Sequence, residues 1–339
     1  MIKASVVGGS GFIGGELLRL LLDHPDVSVT GASSVRYVGR AVHYRQPHLY
    51  GLTKLRYCNV ADMPPSDVIF VATPPGAAVG LLPELESRAR VIIDLSPDAR
   101  IYEQARYEKY YGPHPRWELT AGFVAGLPEL HRAELATADR IAVPGCMATA
   151  GILALSPPAS RGMIKGSIWV TGLTGSSGGG AAPTVGNAHS IRSGAMRVYA
   201  ALGHRHEAEI AQATGLEVHM SAIGVEAVRG VQVICHAELV TGVTRRDVWN
   251  AYRDQYAGEP FVRLIGQRGI YSLPEPKILV GSNFCDLGFE IDEQAGCLTV
   301  VAALDNLVKG AAGNAIQCFN IRMSLPERQG LRFPGLHPV

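Results

Sequence analysis

Short apolar runs alternate with helix-period runs along the first part of the chain. Residues 3–7 form an apolar strand, and a helix pattern follows at about 16–23. Residues 27–32, 67–73 and 91–94 repeat the strand pattern, the last two separated by a helix that ends near Arg88; residues 141–143 add a further short strand. Near-continuous apolar strands alternating with helices predict an α/β fold, a Rossmann-type doubly wound parallel sheet. Residues 100–130, rich in Tyr, Pro and Gly, show neither period and read as irregular.

After a helix over about 147–155 the pattern changes. Residues 166–173, 217–223, 231–240 and 297–304 read as longer strands with hairpin punctuation. Thr244, with Asp247 three residues on, opens a helix from Arg245 to about Ala257. This half predicts a second, α+β domain built on a mostly antiparallel sheet. The expected division is 1–145 for the first domain and 146–308 for the second. A C-terminal helix of about 309–339, rich in small residues, is expected to return to the first.

At 339 residues the chain suits two domains. A net charge of +1 gives no bulk attraction to nucleic acid or to a membrane surface. No apolar run is long enough to span a bilayer, and the chain opens on a strand rather than a signal peptide. Its six cysteines lack C-x-x-C spacing, which argues against a zinc site and a disulfide framework and for a reducing cytoplasm.

The chemistry gathers in five places. Gly8-x-x-Gly11-x-x-Gly14, lying between strand and helix, is a loose dinucleotide fingerprint: Gly8 and Gly11 let backbone N–H groups reach a pyrophosphate, and Ser10, Phe12, Ile13 and Gly14 join them as cofactor-binding candidates. After the second strand, Ser33-Ser34-Val35-Arg36 offers two hydroxyls and a guanidinium where NAD-specific folds place an acid, which favours NADP(H). Pro144-Gly145-Cys146 puts a thiol at the start of a helix, where the positive helix end favours the nucleophilic thiolate. The loop 174–180, with Ser176 and Gly179, can cradle an oxyanion in backbone N–H groups. Finally, Arg197-Val198-Tyr199 precedes His204-Arg205-His206, which sets a general base beside an anion-binding guanidinium. H-x-H also suits a metal, but no third ligand lies at a helpful spacing, so none is expected.

Together these pieces resemble the N-acetyl-γ-glutamyl-phosphate reductase family, within the wider aspartate-semialdehyde dehydrogenase group. The specific stretches are 8–16, Pro144-Gly145-Cys146, 203–207 and 305–317. The segment 204–209, Gly281-Ser282-Asn283-Phe284 and the ending 330–334 look like its LysY-type branch. That resemblance implies reduction of an acyl phosphate, 2-aminoadipyl 6-phosphate or glutamyl 5-phosphate, borne on a small acidic amino-group carrier protein. It implies a setting in lysine or arginine biosynthesis. It implies attack by Cys146, a thioester, and hydride reduction, with His206 or else His204 handling the proton. It also implies Arg205, Ser176, Gly179 and Tyr199 around phosphate or substrate, and Asn306 (less well Asn314) at the cofactor. A homo-oligomer, dimer or tetramer, is implied as well. Arg36, Arg40, Arg45, Arg192 and Arg197 are available as a basic rim for the carrier. Three other readings are an N-acetyl-γ-glutamyl-phosphate reductase of arginine biosynthesis, an NADP-binding regulator without catalysis, and an aspartate-semialdehyde dehydrogenase.

Overall fold

The computed structural model describes residues 1–266 and 272–338. The chain forms two compact units. One comprises Met1–Pro144, Gly180–Ala182 and Ala311–Arg332; the other comprises Gly145–Gly179, Pro183–Gly310 and the residues from Phe333 on.

The first unit carries strands β1 (Ile2–Val7), β2 (Val27–Ala32), β3 (Val68–Val71), β4 (Val91–Asp94), β5 (Val124–Ala125) and β6 (Arg140–Ala142). They pair in parallel in the order β2-β1-β3-β4-β6-β5. Strands β3 and β4 are buried at every position, as a sheet covered on both faces requires. Helices α1 (Phe12–Leu22), α2 (Ala78–Glu86), α3 (Gln104–Tyr111) and α4 (Pro128–Leu135) connect them.

The first unit departs from expectation at two places. Helix α1 starts at Phe12, four residues before the expected Glu16, and so takes in Gly14 and Gly15. Glycine lowers helix propensity, but contact with the preceding turn overrides it. The stretch 100–130 is also not irregular, since it holds α3, β5 and the start of α4. Its anchor is aromatic: Tyr107 stacks on Tyr111 at 4.8 Å and meets His114 edge-on at 4.6 Å. Rings at these spacings give no aliphatic period to read.

The second unit carries α5 (Cys146–Ser160), β7 (Ile164–Thr174), α6 (His189–Arg192), β8 (Arg197–Ala200), α7 (His206–Thr214), β9 (Val218–Gly224) and β10 (Val231–Leu239). Helix α8 (Arg245–Tyr256), β11 (Val262–Leu264), β12 (Cys285–Asp292) and β13 (Cys297–Leu304) complete it. The sheet order is β11-β12-β13-β10-β7-β9-β8, antiparallel except at β11–β12 and β7–β9. Strands β8, β11 and β12 were not expected from the pattern. Along β9 and β10 buried positions alternate with more exposed ones, so the sheet buries one face fully. Thr244 and Asp247 form the expected reciprocal cap of α8.

Helix α5 runs five residues past its expected end, through Pro157 and Pro158. Those prolines have no N–H for the carbonyls of Leu153 and Ala154, a loss that normally breaks a helix. Two tyrosine hydroxyls of α8 take the vacant acceptors: Tyr256 donates to Leu153 O at 2.8 Å and Tyr252 to Ala154 O at 2.5 Å. Removing either hydroxyl leaves a buried carbonyl unmet. Tyr256→Phe is expected to destabilise the protein by about 1–3 kcal/mol in urea unfolding.

Beyond residue 310 the chain continues as α9 (Gly313–Arg322) in the first unit. The helix expected over 309–339 opens as a π-helical turn at Val308–Ala312, runs into the ten-residue α9 and ends at Arg322; Val339, the end of that span, lies outside the described residues. The chain turns at Ser324 (φ 56), and Asn320 Nδ2 donates to the carbonyls of Glu327 and Gln329. Satisfying the returning segment through a side chain stops the helix.

Candidate active site

In the first unit the strand order reverses at β1 and β3, and the chain leaves β1 there as the glycine turn. Gly8 has φ +81, and a Cβ on it would lie 2.3 Å from the Ala72 carbonyl oxygen. A Cβ on Gly14 would lie 2.2 Å from the Gly8 carbonyl oxygen. These glycines act through close packing. Gly8 N–H donates to Ser33 Oγ at 3.3 Å, and Gly11 N–H to the Gly8 carbonyl at 3.1 Å. The helix-opening N–H groups of Phe12 and Ile13 lie beyond reach of any intrahelical carbonyl, and Ser10 stands beside them. Ser10 Oγ is 2.9 Å from Ser34 Oγ, and Arg36 is exposed on the loop beyond.

Thr73, just past β3, has a buried hydroxyl with no hydrogen-bond partner. An open helix N-terminus, an orphaned hydroxyl and the absence of an acid over 33–36 fit a dinucleotide carrying a 2′-phosphate. Gly14→Ala forces the turn apart, at about 1–3 kcal/mol for overpacking. It is expected to weaken NADPH binding at least tenfold in a fluorescence titration.

In the second unit Cys146 is the first residue of the fifteen-residue α5, and Gly145 is its extended N-cap. The positive helix end therefore meets the sulfur directly. The His206 ring covers Gly145, where a Cβ would lie 2.2 Å from Nε2. On another side Gly310 approaches so closely that its Cβ would lie 2.6 Å from Cys146 Cβ. Glu209, one turn along α7 from His206, accepts the Gly145 N–H at 2.9 Å, and its other oxygen lies 4.0 Å from His206 Nε2. One carboxylate thus holds the turn before the thiol and faces the imidazole.

Cys146, His204, His206, Tyr199, Ser176 and Gly179 line one cavity of about 370 Å³, together with Arg192, Arg197 and Arg205. Three guanidinium groups around a thiol suit an anionic substrate. Arg192 also braces the glycine loop by donating to the carbonyls of Thr174 and Val225. Asn306 is buried behind that loop. Its Oδ1 accepts the Gly230 N–H at 2.8 Å, and its Nδ2 donates to Ser177 Oγ at 2.9 Å. Asn314 belongs to the first unit, where its Nδ2 donates to the Gly126 carbonyl at 2.6 Å.

The two histidines differ in environment. Burial, then the neighbouring Arg205 charge, pushes His204 down to about 4. Its Nδ1 accepts the His206 N–H at 3.3 Å, and its Nε2 lies 3.4 Å from Tyr199 Oη. Burial, then the Cys146 charge, pushes Tyr199 up to about 12. Because His204 titrates near 4 folded and near 6.5 unfolded, the unfolded chain binds the extra proton between those values. Its contribution to stability is complete above pH 6.5 and is lost as pH falls toward 4. Thermal melts at pH 7.5 and about 5 are expected to show a smaller drop for His204→Gln than for the natural chain.

Family models for the semialdehyde dehydrogenase NAD-binding domain and dimerisation domain match residues 3–138 and 146–306. Over 340 residues the chain is 43% identical to the LysW-L-2-aminoadipate 6-phosphate reductase of Deinococcus radiodurans, covering 99% of this chain and 98% of that one. It is also 43% identical to a putative LysW-L-2-aminoadipate/LysW-L-glutamate phosphate reductase of Cenarchaeum symbiosum, covering all of both chains. The chain belongs to the LysW-aminoadipate phosphate reductase family. Among solved structures, aspartate semialdehyde dehydrogenase II of Vibrio cholerae matches at a TM-score of 0.72 and 17% identity, over 96% of this chain and 98% of that one. The NADP-bound enzyme of Candida albicans matches at 0.63 and 15%, over 95% and 98%. Both share the two-domain fold.

The reductase is therefore an oxidoreductase of the semialdehyde dehydrogenase type. Among the described residues no helix is long and apolar enough to cross a membrane. Sequence reasoning named Glu209 as part of a motif without a role, though it stands three residues after His206 and so shares its helix face. It missed Gln46 and Tyr57. Gln46 donates to the carbonyls of Gly9 and Gly11, and the Tyr57 hydroxyl to that of Gly9, bracing the glycine turn from behind. No local signal marks these residues.

Proposed function

We propose that the protein reduces a carrier-linked acyl phosphate, 2-aminoadipyl 6-phosphate or glutamyl 5-phosphate, to the semialdehyde with NADPH, in lysine or arginine biosynthesis. The observation that carries this is the Cys146 thiol at a helix N-terminus, with His206 over the adjoining Gly145, in an arginine-lined cavity. The names of the relatives, reductases of LysW-linked phosphates, support the substrate class. The first unit is assigned cofactor binding and the second catalysis.

Cys146 Sγ attacks the acyl carbon. The bond from that carbon to the phosphate oxygen breaks, phosphate leaves with the electron pair, and a thioester remains. Arg192, Arg197 and Arg205, with N–H groups of the 174–179 loop, offset the phosphate charge. NADPH, held at Gly8, Ser10, Gly11, Phe12, Ile13, Gly14, Ser33, Ser34 and Arg36, supplies hydride when bound. His206 holds a proton at the acyl oxygen while the carbon is tetrahedral and takes it back as the carbon–sulfur bond breaks. Glu209 keeps His206 and the Cys146 turn in register.

The partner is a small acidic carrier protein bearing the substrate, and the chain acts as a homo-oligomer in the cytoplasm. The match to a dimerisation domain and the exposed Trp169 on the open sheet face support the oligomer. None of the six cysteines forms a disulfide.

A substrate comparison in the oxidative direction, with phosphate and NADP, tests the reading. Carrier-linked aminoadipate semialdehyde is expected to exceed N-acetyl-glutamate semialdehyde in kcat/KM. A preference for the free acetylated compound would remove the carrier from the reaction.

A further inference from the structure

Thr149 stands on α5 three residues after Cys146 and is completely buried. Its hydroxyl has no hydrogen-bond partner. A buried donor left unmet is costly, and native proteins keep few of them. A hydroxyl inside a helix ordinarily returns to the carbonyl four residues back. Ser156 on the same helix does so, donating to Ile152 O at 2.7 Å, and Thr214 on α7 donates likewise to Ile210 O at 2.7 Å. At Thr149 that carbonyl is Gly145 O, which receives the Thr149 backbone N–H at 2.7 Å and not the hydroxyl.

Helical side chains lean toward the N-terminus, and residues three apart share a face. The unmet hydroxyl is therefore carried on the face of the turn that begins with Cys146. Threonine in a helix divides between two rotamers, so the hydroxyl can swing without moving the backbone.

We propose that the Thr149 hydroxyl donates a hydrogen bond to the Cys146 sulfur when that sulfur is a thiolate, holding it ionised and aimed before attack. This rests on the reading of Cys146 as the nucleophile. Other groups also act on the sulfur. His206 lies across Gly145, while His204, Tyr199, Arg192, Arg197 and Arg205 share its cavity. Glu209 acts through the Gly145 N–H, and the buried Lys309 precedes Gly310, which packs on Cys146. Thr149 adds an uncharged donor from within the helix, where no substrate displaces it.

The test is alkylation of Cys146 by iodoacetamide across pH, read at the Cys146 peptide by mass spectrometry. It uses the full chain with Thr149→Val, Thr149→Ala and Thr149→Ser. Removing a hydrogen bond to a charged group is expected to raise the midpoint by about one pH unit in Thr149→Val. The rate at neutral pH falls roughly threefold, because a less acidic thiol is also the stronger nucleophile. Thr149→Ser restores the natural midpoint.

A purely structural hydroxyl predicts a different result, since valine has the same shape and leaves no donor unmet. The melting temperature then holds or rises and the alkylation profile stays in place. Profiles that superimpose for the natural chain and both hydroxyl-free variants overturn the proposal, as does a shift that serine fails to reverse. Should Thr149→Val not fold, Thr149→Ala removes the same hydroxyl with less bulk. The readout does not depend on turnover, so it stands apart from the nucleophile reading, which fails separately if Cys146→Ser retains activity.

Discussion

Cys146→Ser is expected to lower kcat for acyl-phosphate reduction on the order of 10⁴-fold or more while NADPH binds as before. A serine hydroxyl at the same helix end stays protonated at neutral pH, because the dipole that favours a thiolate is far too weak to ionise an alcohol. The substitution changes little volume at a half-buried position, so the fold is retained. The glycine turn assigned to NADPH belongs to the other unit and keeps its own bracing from Gln46 and Tyr57. Initial rates beside a fluorescence titration separate the two effects. A rate near that of the natural chain would exclude a thioester.

His206→Asn is expected to lower kcat about 10²–10³-fold with little change in KM, the usual scale for a lost general acid–base. His204→Asn is expected to lose less than about tenfold. The separation follows from placement. The His206 ring lies directly on Gly145, the residue before the thiol. His204 is pushed down to about 4, so at neutral pH its ring is uncharged and a far weaker acid than an imidazolium. Its Nδ1 is occupied by the backbone N–H of His206, which makes it a support for the start of α7. Initial rates of the two variants, measured side by side across substrate concentration, distinguish the roles. Equal losses in the two variants would contradict this assignment.

Much of the chemistry could be read locally. Cys146 at a helix start follows from Pro144-Gly145 and the apolar run behind them, because turn residues and helix formers act over a few positions. The glycine turn follows from three glycines at fixed spacing between a strand and a helix. Reading failed where the deciding partner was distant or the residue type uninformative. Helix α1 was started late because its glycines look like breakers, and only contact with Gly8 shows why they are there. Helix α3 hid in a tyrosine-rich stretch whose packing is ring on ring. Strand β8 was read only as chemistry, since an edge strand with arginine and tyrosine lacks the alternation of a buried one.

Period and punctuation along the chain were enough to separate a parallel sheet from a mainly antiparallel one and to mark the thiol, the glycine turn and the two histidines, because backbone geometry responds to near neighbours. Folding alone placed the His206 ring over Gly145 and tied Gly145 to a carboxylate 64 residues away. It also carried α5 across two prolines on hydroxyls from α8, 98 and 103 residues further along. Those outcomes depend on which buried donor meets which buried acceptor. That pairing exists only once distant segments have been packed together and water has been excluded from between them.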